Sequence, residues 1–291
     1  MVDADMSRRD TVTIDRRYSG PARSANGGIA SGLIAARASG LLEARLVVVT
    51  LLRPPPLDKP LELVSGSRRV HVLDGEDLVA IATQATEMSD PIIALVPEEQ
   101  FETTYAGDTL HPFPHCFVCG TTRLDGLQLR PMKSAARPGR VKCHWRPADQ
   151  GPNVASRPVA EEMIWAALDC PGGWTFDQGA DTRVLARYTV SVVAPANILA
   201  EATYSIVGQL RDRSRGRVGT AMYDQSGALV ARAEATWLPW TGMVERQGRP
   251  TSQADHSPGV GDPSALLGPS GVAGRLRGAA PVPMEAERGH C

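Results

Sequence analysis

The feature that most constrains this fold is an order of elements that occurs twice along the chain. In the first half, alternating residues at 11–18 predict a strand, GGIASGLIAARASG predicts a helix, and three β-leaning runs follow. In the second half, GRVKCHWRP predicts a strand, RPVAEEMIWAALD a helix, and four further strands follow. The motif LVAxA comes after a glycine-containing turn in both halves, beginning at Leu78 and at Leu229. A helix followed by consecutive strands indicates an α+β unit with an antiparallel sheet, so the sequence predicts two copies of one such unit.

Changes in composition mark the predicted boundaries. The first repeat is predicted at 8–88 and the second at 126–240, and both show the periodicity of regular elements. Residues 89–125 are rich in Pro, His, Thr and Gly, which predicts an ordered connection across the surface. Residues 241–291 have little apolar periodicity and much Gly and Pro, so this tail is predicted to be disordered.

Charge and hydropathy exclude several classes of partner. A formal net charge of −1 produces no field that would attract nucleic acid or an anionic membrane. The first residues lack the apolar core of a signal peptide, and no window offers the run of about 18 apolar residues that a membrane span needs. The sequence therefore predicts a cytoplasmic protein that binds neither nucleic acid nor membrane.

The cysteines form an odd and sparse set, which favours free thiols over a disulfide framework. Cys116 and Cys119 have the spacing of a zinc knuckle. A second ligand pair at suitable spacing is missing, because Cys143 and His144 are adjacent and would point to opposite faces of a strand. Free thiols without a metal are the prediction, and the alternative is a zinc site in which one of this second pair joins Cys116 and Cys119.

The repeated unit resembles the hotdog fold, in which a sheet wraps a central helix, and its two copies resemble a double hotdog. SANGGIASGLIAARA followed by VVVTLLRPPPLDKPLELV is similar to the first half of the acyl-CoA thioesterase II family, where a Gly-Gly pair opens the helix. WAALDCPGGW matches where that family carries an acid late in its helix, and YDQSGALVARAEAT resembles its closing hairpin. The likeness covers residues 11–240. It implies a hydrolase of lipid metabolism acting on an acyl-CoA or acyl-carrier thioester, with coenzyme A only as part of the substrate, no other cofactor, and a homo-oligomer.

The resemblance also implies roles for particular residues. Gly27 and Gly28 would form the oxyanion corner at the start of the first helix, where free backbone N–H groups stabilise negative charge. Asp169 in the second helix would be the general base that deprotonates water. Arg37 stands at the matching place in the first helix, which predicts one working site per chain. The alternatives are that Asp169 only bonds the turn that follows it and that the glycines only allow tight packing.

The sequence departs from the family pattern on the neighbouring strands. The Thr and Gln that assist the family's acid would fall near Leu185 and Ala235. Water positioning would then pass to three nearby residues, Thr189, Glu234 and Thr236. The RDRSRGR hairpin offers three arginines that could clasp the phosphates of coenzyme A, Arg213, Arg215 and Arg217.

Two other functions remain open at this point. Hotdog hydratases and dehydratases usually pair an acid with a histidine near the helix start, and neither 20–40 nor 151–172 contains a histidine, which favours hydrolysis. The missing Thr and Gln leave room for a protein that binds acyl thioesters without catalysis.

Overall fold

The computed structural model describes residues 8–21, 23–96, 99–147, 158–193, 198–200 and 202–242. Apart from its first two residues, the predicted disordered tail at 241–291 lies outside the described residues.

The described elements are two α-helices and eleven strands in one sheet. The helices are α1 (Gly27–Leu42) and α2 (Glu161–Gly173). The strands are β1 (Arg9–Thr13), β2 (Leu46–Leu51), β3 (Pro60–Ser65), β4 (Arg69–Asp74), β5 (Asp77–Ala85), β6 (Met132–Lys133), β7 (Arg140–Trp145), β8 (Arg183–Val192), β9 (Tyr204–Asp212), β10 (Arg217–Tyr223) and β11 (Leu229–Pro239). The prediction of an α+β fold with antiparallel pairing is confirmed.

The sheet order relates the two halves of the chain. Its strands lie in the order β1-β3-β4-β5-β2-β8-β11-β10-β9-β7-β6. We number the strands of each half along the chain and leave out the short β6. From each edge of the sheet toward its middle, both halves then show the same order: first, third, fourth, fifth and second. The halves meet where β2 pairs with β8, with Val48 opposite Thr189. The predicted repeats therefore contribute to one continuous sheet.

The helices pack against each other on the same side of the sheet, and both contact β8. A Cβ added to Gly28 would lie 2.6 Å from the Cβ of Asp169, and one added to Gly32 would lie 2.9 Å from the Cα of Glu162. These pairings make the helices antiparallel, so the start of α1 lies beside the later half of α2. Only glycine allows this close approach of the two backbones.

The end of α2 differs from the prediction, which placed it before Pro171. The helix continues to Gly173 because proline removes a single helical N–H, and the N–H of Trp174 still bonds the carbonyl of Cys170. Asp169 consequently lies within the helix rather than in a terminal turn.

The sequence predicted that the connection at 89–125 runs across the surface, but in the structure part of it is buried. Its described residues place Tyr105 and Phe117 in the main core. It also supplies an ion pair between Glu99 and Arg140 of β7, whose side chains are each 4% exposed. Burial opposes ionisation of Glu99, but hydrogen bonds from Ser134 and Arg140 outweigh it and hold the pKa of the carboxyl below its ordinary value.

Candidate active site

The acid singled out from the sequence is buried at the junction of the two helices. Asp169 is 2% exposed, and its Oδ2 accepts hydrogen bonds from the Gly28 N–H and from Asn26 Nδ2, both at 2.9 Å. Its Oδ1 has no hydrogen-bond partner among the described residues. One oxygen is therefore anchored, while the other is buried without a partner in the described part of the chain.

Asn26 links the start of α1 to this carboxylate. Its Oδ1 accepts the N–H of Ile29 as the helix cap, and its Nδ2 turns to Asp169. The positive end of the α1 dipole thus faces the acid of α2. This contact explains why the sequence places a lone acid in an apolar helix. The sequence did not single out Asn26 as a site residue, since its amide contact with Asp169 spans 143 positions.

The surroundings of Asp169 shift its protonation equilibrium. Burial raises the pKa to about 7, with a smaller effect from negative charge on Cys116, against the opposing hydrogen bonds from Gly28 and Asn26. A carboxyl with a pKa near neutrality can take up and release a proton under physiological conditions, as a general base requires.

A cavity of about 360 Å³ opens beside this carboxylate. Its polar part includes Asn26, Asp169 and Arg183, and its apolar part includes Leu185 and Trp237. A mostly apolar cleft with a few convergent polar groups is typical of a small-molecule site.

Gly27 and Gly28 make different contacts in the structure. The N–H of Gly28 is already donated to Asp169, so Gly28 cannot serve as a second oxyanion donor while that bond is formed. Gly27, the first residue of α1, lines the cavity. The oxyanion corner expected from both glycines is therefore reduced to Gly27.

No family model and no curated protein matches this sequence. Solved structures do match. A candidate thioesterase from Novosphingobium aromaticivorans is 16% identical, with 80% of this chain and 96% of that chain covered and a TM-score of 0.51. An isomerase-inactive variant of GphF DH1 is 17% identical, with 84% and 96% covered and a TM-score of 0.50. A conserved protein with hot dog fold from Alicyclobacillus acidocaldarius is 12% identical, with 81% and 94% covered and a TM-score of 0.49.

The chain has a hotdog fold. The expectation of that architecture is confirmed, and at these identities the likeness concerns the fold and not the activity.

Three residues expected to assist Asp169 lie on the other face of the hotdog sheet. Tyr188 points toward the helices, since its hydroxyl donates to the Trp165 carbonyl, and strand alternation turns the next residue outward. There the Thr189 hydroxyl donates to the carbonyl of Val47 at 2.9 Å. Thr189 lines a groove on this outer face of the sheet, the outer groove, together with two further residues, Glu234 and Thr236. The prediction that these three position water beside Asp169 is wrong in its geometry.

The arginines expected to hold coenzyme A are paired with acids. Arg213 bonds Asp181 at 2.8 Å, Arg215 bonds Asp212 at 2.9 Å, and Arg217 bonds Asp90 beside the outer groove. These last two bonds correct the expectation that the three arginines form one clasp.

Of the expected arginines, Arg213 has a link to the cavity. Asp181, its partner, also bonds Arg183, which lines the cavity and which the sequence analysis did not single out. The only signal for Arg183 in the sequence is that it is a basic residue at the start of a predicted strand.

Three cysteines meet at the same cavity. Cys116, Cys119 and Cys170 are buried, and their sulfur atoms all lie within 4.8 Å of one another. Hydrogen bonds from the other two thiols hold the pKa of Cys116 well below its ordinary value. The sequence predicted free thiols but had no signal that Cys170 would join the pair on the connection, 51 positions away.

None of the helices in the described part of the chain is long and apolar enough to cross a membrane.

Proposed function

We propose that this chain is a tandem double hotdog that hydrolyses acyl thioesters, with acyl-CoA as the first candidate substrate. The repeats would be 8–88 and 126–240, joined by the connection at 89–125. The matching strand order of the two halves and the equivalent positions of α1 and α2 support this duplication.

The observation that carries the proposed chemistry is the half-anchored carboxylate of Asp169 at the cavity. Gly28 and Asn26 fix the orientation of the acid, and its second oxygen, which is buried without a hydrogen-bond partner among the residues that the structure describes, would accept a proton from water. Gly27 and the positive end of α1 lie at the same place and would stabilise an oxyanion.

The reaction then follows in two steps. Water attacks the thioester carbonyl carbon while Asp169 takes one of its protons, which gives a tetrahedral intermediate whose oxyanion faces the Gly27 amide. The intermediate collapses to the carboxylic acid, the C–S bond breaks, and the departing sulfur receives the proton held by Asp169. The apolar side of the cavity, including Leu185 and Trp237, would hold the acyl chain.

The arginines suggest where the phosphates of coenzyme A would bind. Arg183 lies at the cavity, and Arg213 shares the partner Asp181 with it. Two guanidinium groups around one carboxylate leave a positive balance there, which favours a phosphate.

A hydratase or dehydratase is the competing proposal because a histidine does line the cavity. His111 is buried there, but its Nδ1 accepts the N–H of Phe113 and its Nε2 lies 3.0 Å from the carbonyl of Cys119. Both nitrogens are therefore engaged with the backbone, which argues against a role in proton transfer.

The test is release of free thiol from a panel of acyl-CoAs, followed with a thiol-trapping dye. We expect Asp169→Asn to lower kcat/KM by about 10²- to 10⁴-fold, the usual contribution of a general base. Asp10→Asn makes the same chemical change at a half-exposed strand residue and should leave the rate unchanged.

Each other outcome points to a different function. An Asp169→Asn variant with the wild-type rate would refute the proposed mechanism. Binding without thiol release at any chain length would indicate a non-catalytic acyl-thioester protein. Hydration of an enoyl-CoA at the same site would indicate the hydratase.

A further inference from the structure

The three thiols at the cavity have no place in the hydrolysis described above. Cys116 and Cys119 lie on the connection, and Cys170 lies on α2 directly after Asp169. We propose that these three cysteines bind a Zn²⁺ ion, with the fourth coordination position open to the cavity.

The distances between the sulfur atoms suit this ion. The Sγ atoms of Cys116 and Cys170 are 3.7 Å apart, and all three sulfurs lie within 4.8 Å of one another. Tetrahedral Zn²⁺ with Zn–S bonds of about 2.3 Å places its sulfurs about 3.8 Å apart. Only small adjustments would therefore bring the three thiolates into ligand positions.

The backbone around the first two cysteines is arranged as in a metal-binding turn. The N–H of Gly120 donates to the Cys116 carbonyl at 2.9 Å, which closes the turn that carries Cys116 and Cys119. A Cβ on Gly120 would lie 2.5 Å from that carbonyl oxygen, so the turn requires glycine.

Asn26 adds a donor to the cluster. Its Nδ2 lies 3.8 Å from the sulfurs of both Cys116 and Cys170, while it also bonds Asp169. Donors aimed at a sulfur stabilise its thiolate, the form that binds a metal. One amide thus faces two sulfurs and one carboxylate, which is the kind of outer support that metal ligands usually have.

The fourth position is left to a molecule in the cavity. Among the described residues, the group of possible ligand atoms contains only these three cysteines. The nitrogens of His111 are engaged with the backbone, as described above. All three cysteines line the cavity, so water or a ligand sulfur can complete the tetrahedron.

The ion would join two parts of the chain. It would tie the connection that carries Cys116 and Cys119 to the end of α2 beside Asp169, and so hold one wall of the cavity. The proposal rests on the sulfur geometry and does not depend on hydrolysis.

The test uses the full chain, purified under reducing conditions and loaded with Zn²⁺ or Co²⁺ alone. We expect one tightly bound Zn²⁺ per chain and, with Co²⁺, the thiolate charge-transfer and d–d absorption of a tetrahedral site. Zn²⁺ affinity is measured by competition with a chromophoric chelator. Loss of a supporting group costs about 10- to 100-fold in metal affinity, so loss of a ligand in Cys170→Ala should cost at least about 100-fold.

Cys143→Ala is the matched control, because Cys143 is also a buried free thiol but lies on β7 outside the cluster. Its Zn²⁺ affinity should equal that of the wild type. Equal losses in both variants, a chain without a tetrahedral Co²⁺ spectrum, or a disulfide within the cluster in place of bound metal would each overturn the proposal.

If Cys170→Ala does not fold, the intensity of the charge-transfer band of the wild-type chain still counts the thiolate ligands, and fewer than three overturns the site. Metal binding is measured without acyl-CoA, so a chain that binds Zn²⁺ but releases no thiol contradicts only the proposed hydrolysis.

Discussion

The contact between the two helices can be tested by adding one methyl group. In Gly28→Ala the new Cβ would lie 2.6 Å from the Cβ of Asp169 and 2.9 Å from the Cα of Ala166. Ordinary carbon contacts are about 3.5–4.0 Å, so the helices must separate by about 1 Å. Such overpacking costs about 1–3 kcal/mol, and the better helix propensity of alanine returns up to about 1 kcal/mol. We expect Gly28→Ala to lower the free energy of unfolding by about 1–2 kcal/mol.

Two other glycines of α1 serve as controls. Gly32→Ala would place its Cβ 2.9 Å from the Cα of Glu162, so it disturbs the same helix pair one turn away from Asp169. Its stability loss should be similar. Gly40→Ala meets nothing within 4 Å among the described residues, so it should stabilise the chain by up to about 1 kcal/mol.

Activity separates the first two variants. A displacement of about 1 Å in a catalytic group can cost about 100-fold, and only Gly28→Ala moves Asp169 directly. Denaturant unfolding gives the stabilities, and kcat/KM for an acyl-CoA gives the activities. Unchanged stability in Gly28→Ala would refute the close approach of the helices. Equal activity losses in Gly28→Ala and Gly32→Ala would refute a specific role for the contact between Gly28 and Asp169.

Two further predictions concern residues away from the cavity. Arg140→Met leaves Glu99 buried without its partner and should lower the free energy of unfolding at pH 7 by about 3–5 kcal/mol, whereas adding Glu99→Gln should restore much of it. Because the pKa of Glu99 is lowered in the folded chain, its contribution is present above its unfolded pKa of about 4.3 and is lost as pH falls through the folded pKa. Urea unfolding across this pH range should show that the difference in free energy of unfolding between the wild type and the double variant decreases at low pH. A difference that stays constant would contradict the assignment of this contribution to Glu99. Thr236→Ala, on the outer face of the sheet, should keep the wild-type kcat/KM for acyl-CoA, and a large loss would return that residue to the site.

The sequence by itself determined the order of elements and singled out two parts of the candidate site. Helix and strand periodicities are local, and their recurrence in the same order indicates the α+β architecture from the sequence alone. The glycine pair at 27–28 and the acid at 169 also stand out locally, because neither suits an ordinary position in an apolar helix. The prediction failed at Pro171, where the helix continues through a residue that usually ends one, because proline removes only a single helical N–H.

Tertiary structure alone decided which groups surround Asp169. Strand alternation assigns residues to two faces but does not say which face is buried, and the extra residue of β8 between Leu185 and Arg187, opposite Thr236 and Trp237, changes the assignment along β8. Thr189 therefore faces outward, although its spacing placed it near the acid. Asn26 and Cys116 reach the site from 143 and 53 positions away, through the antiparallel packing of the helices and the burial of the connection. Contacts at such separations depend on how elements pack in three dimensions, and local periodicity contains no information about that packing.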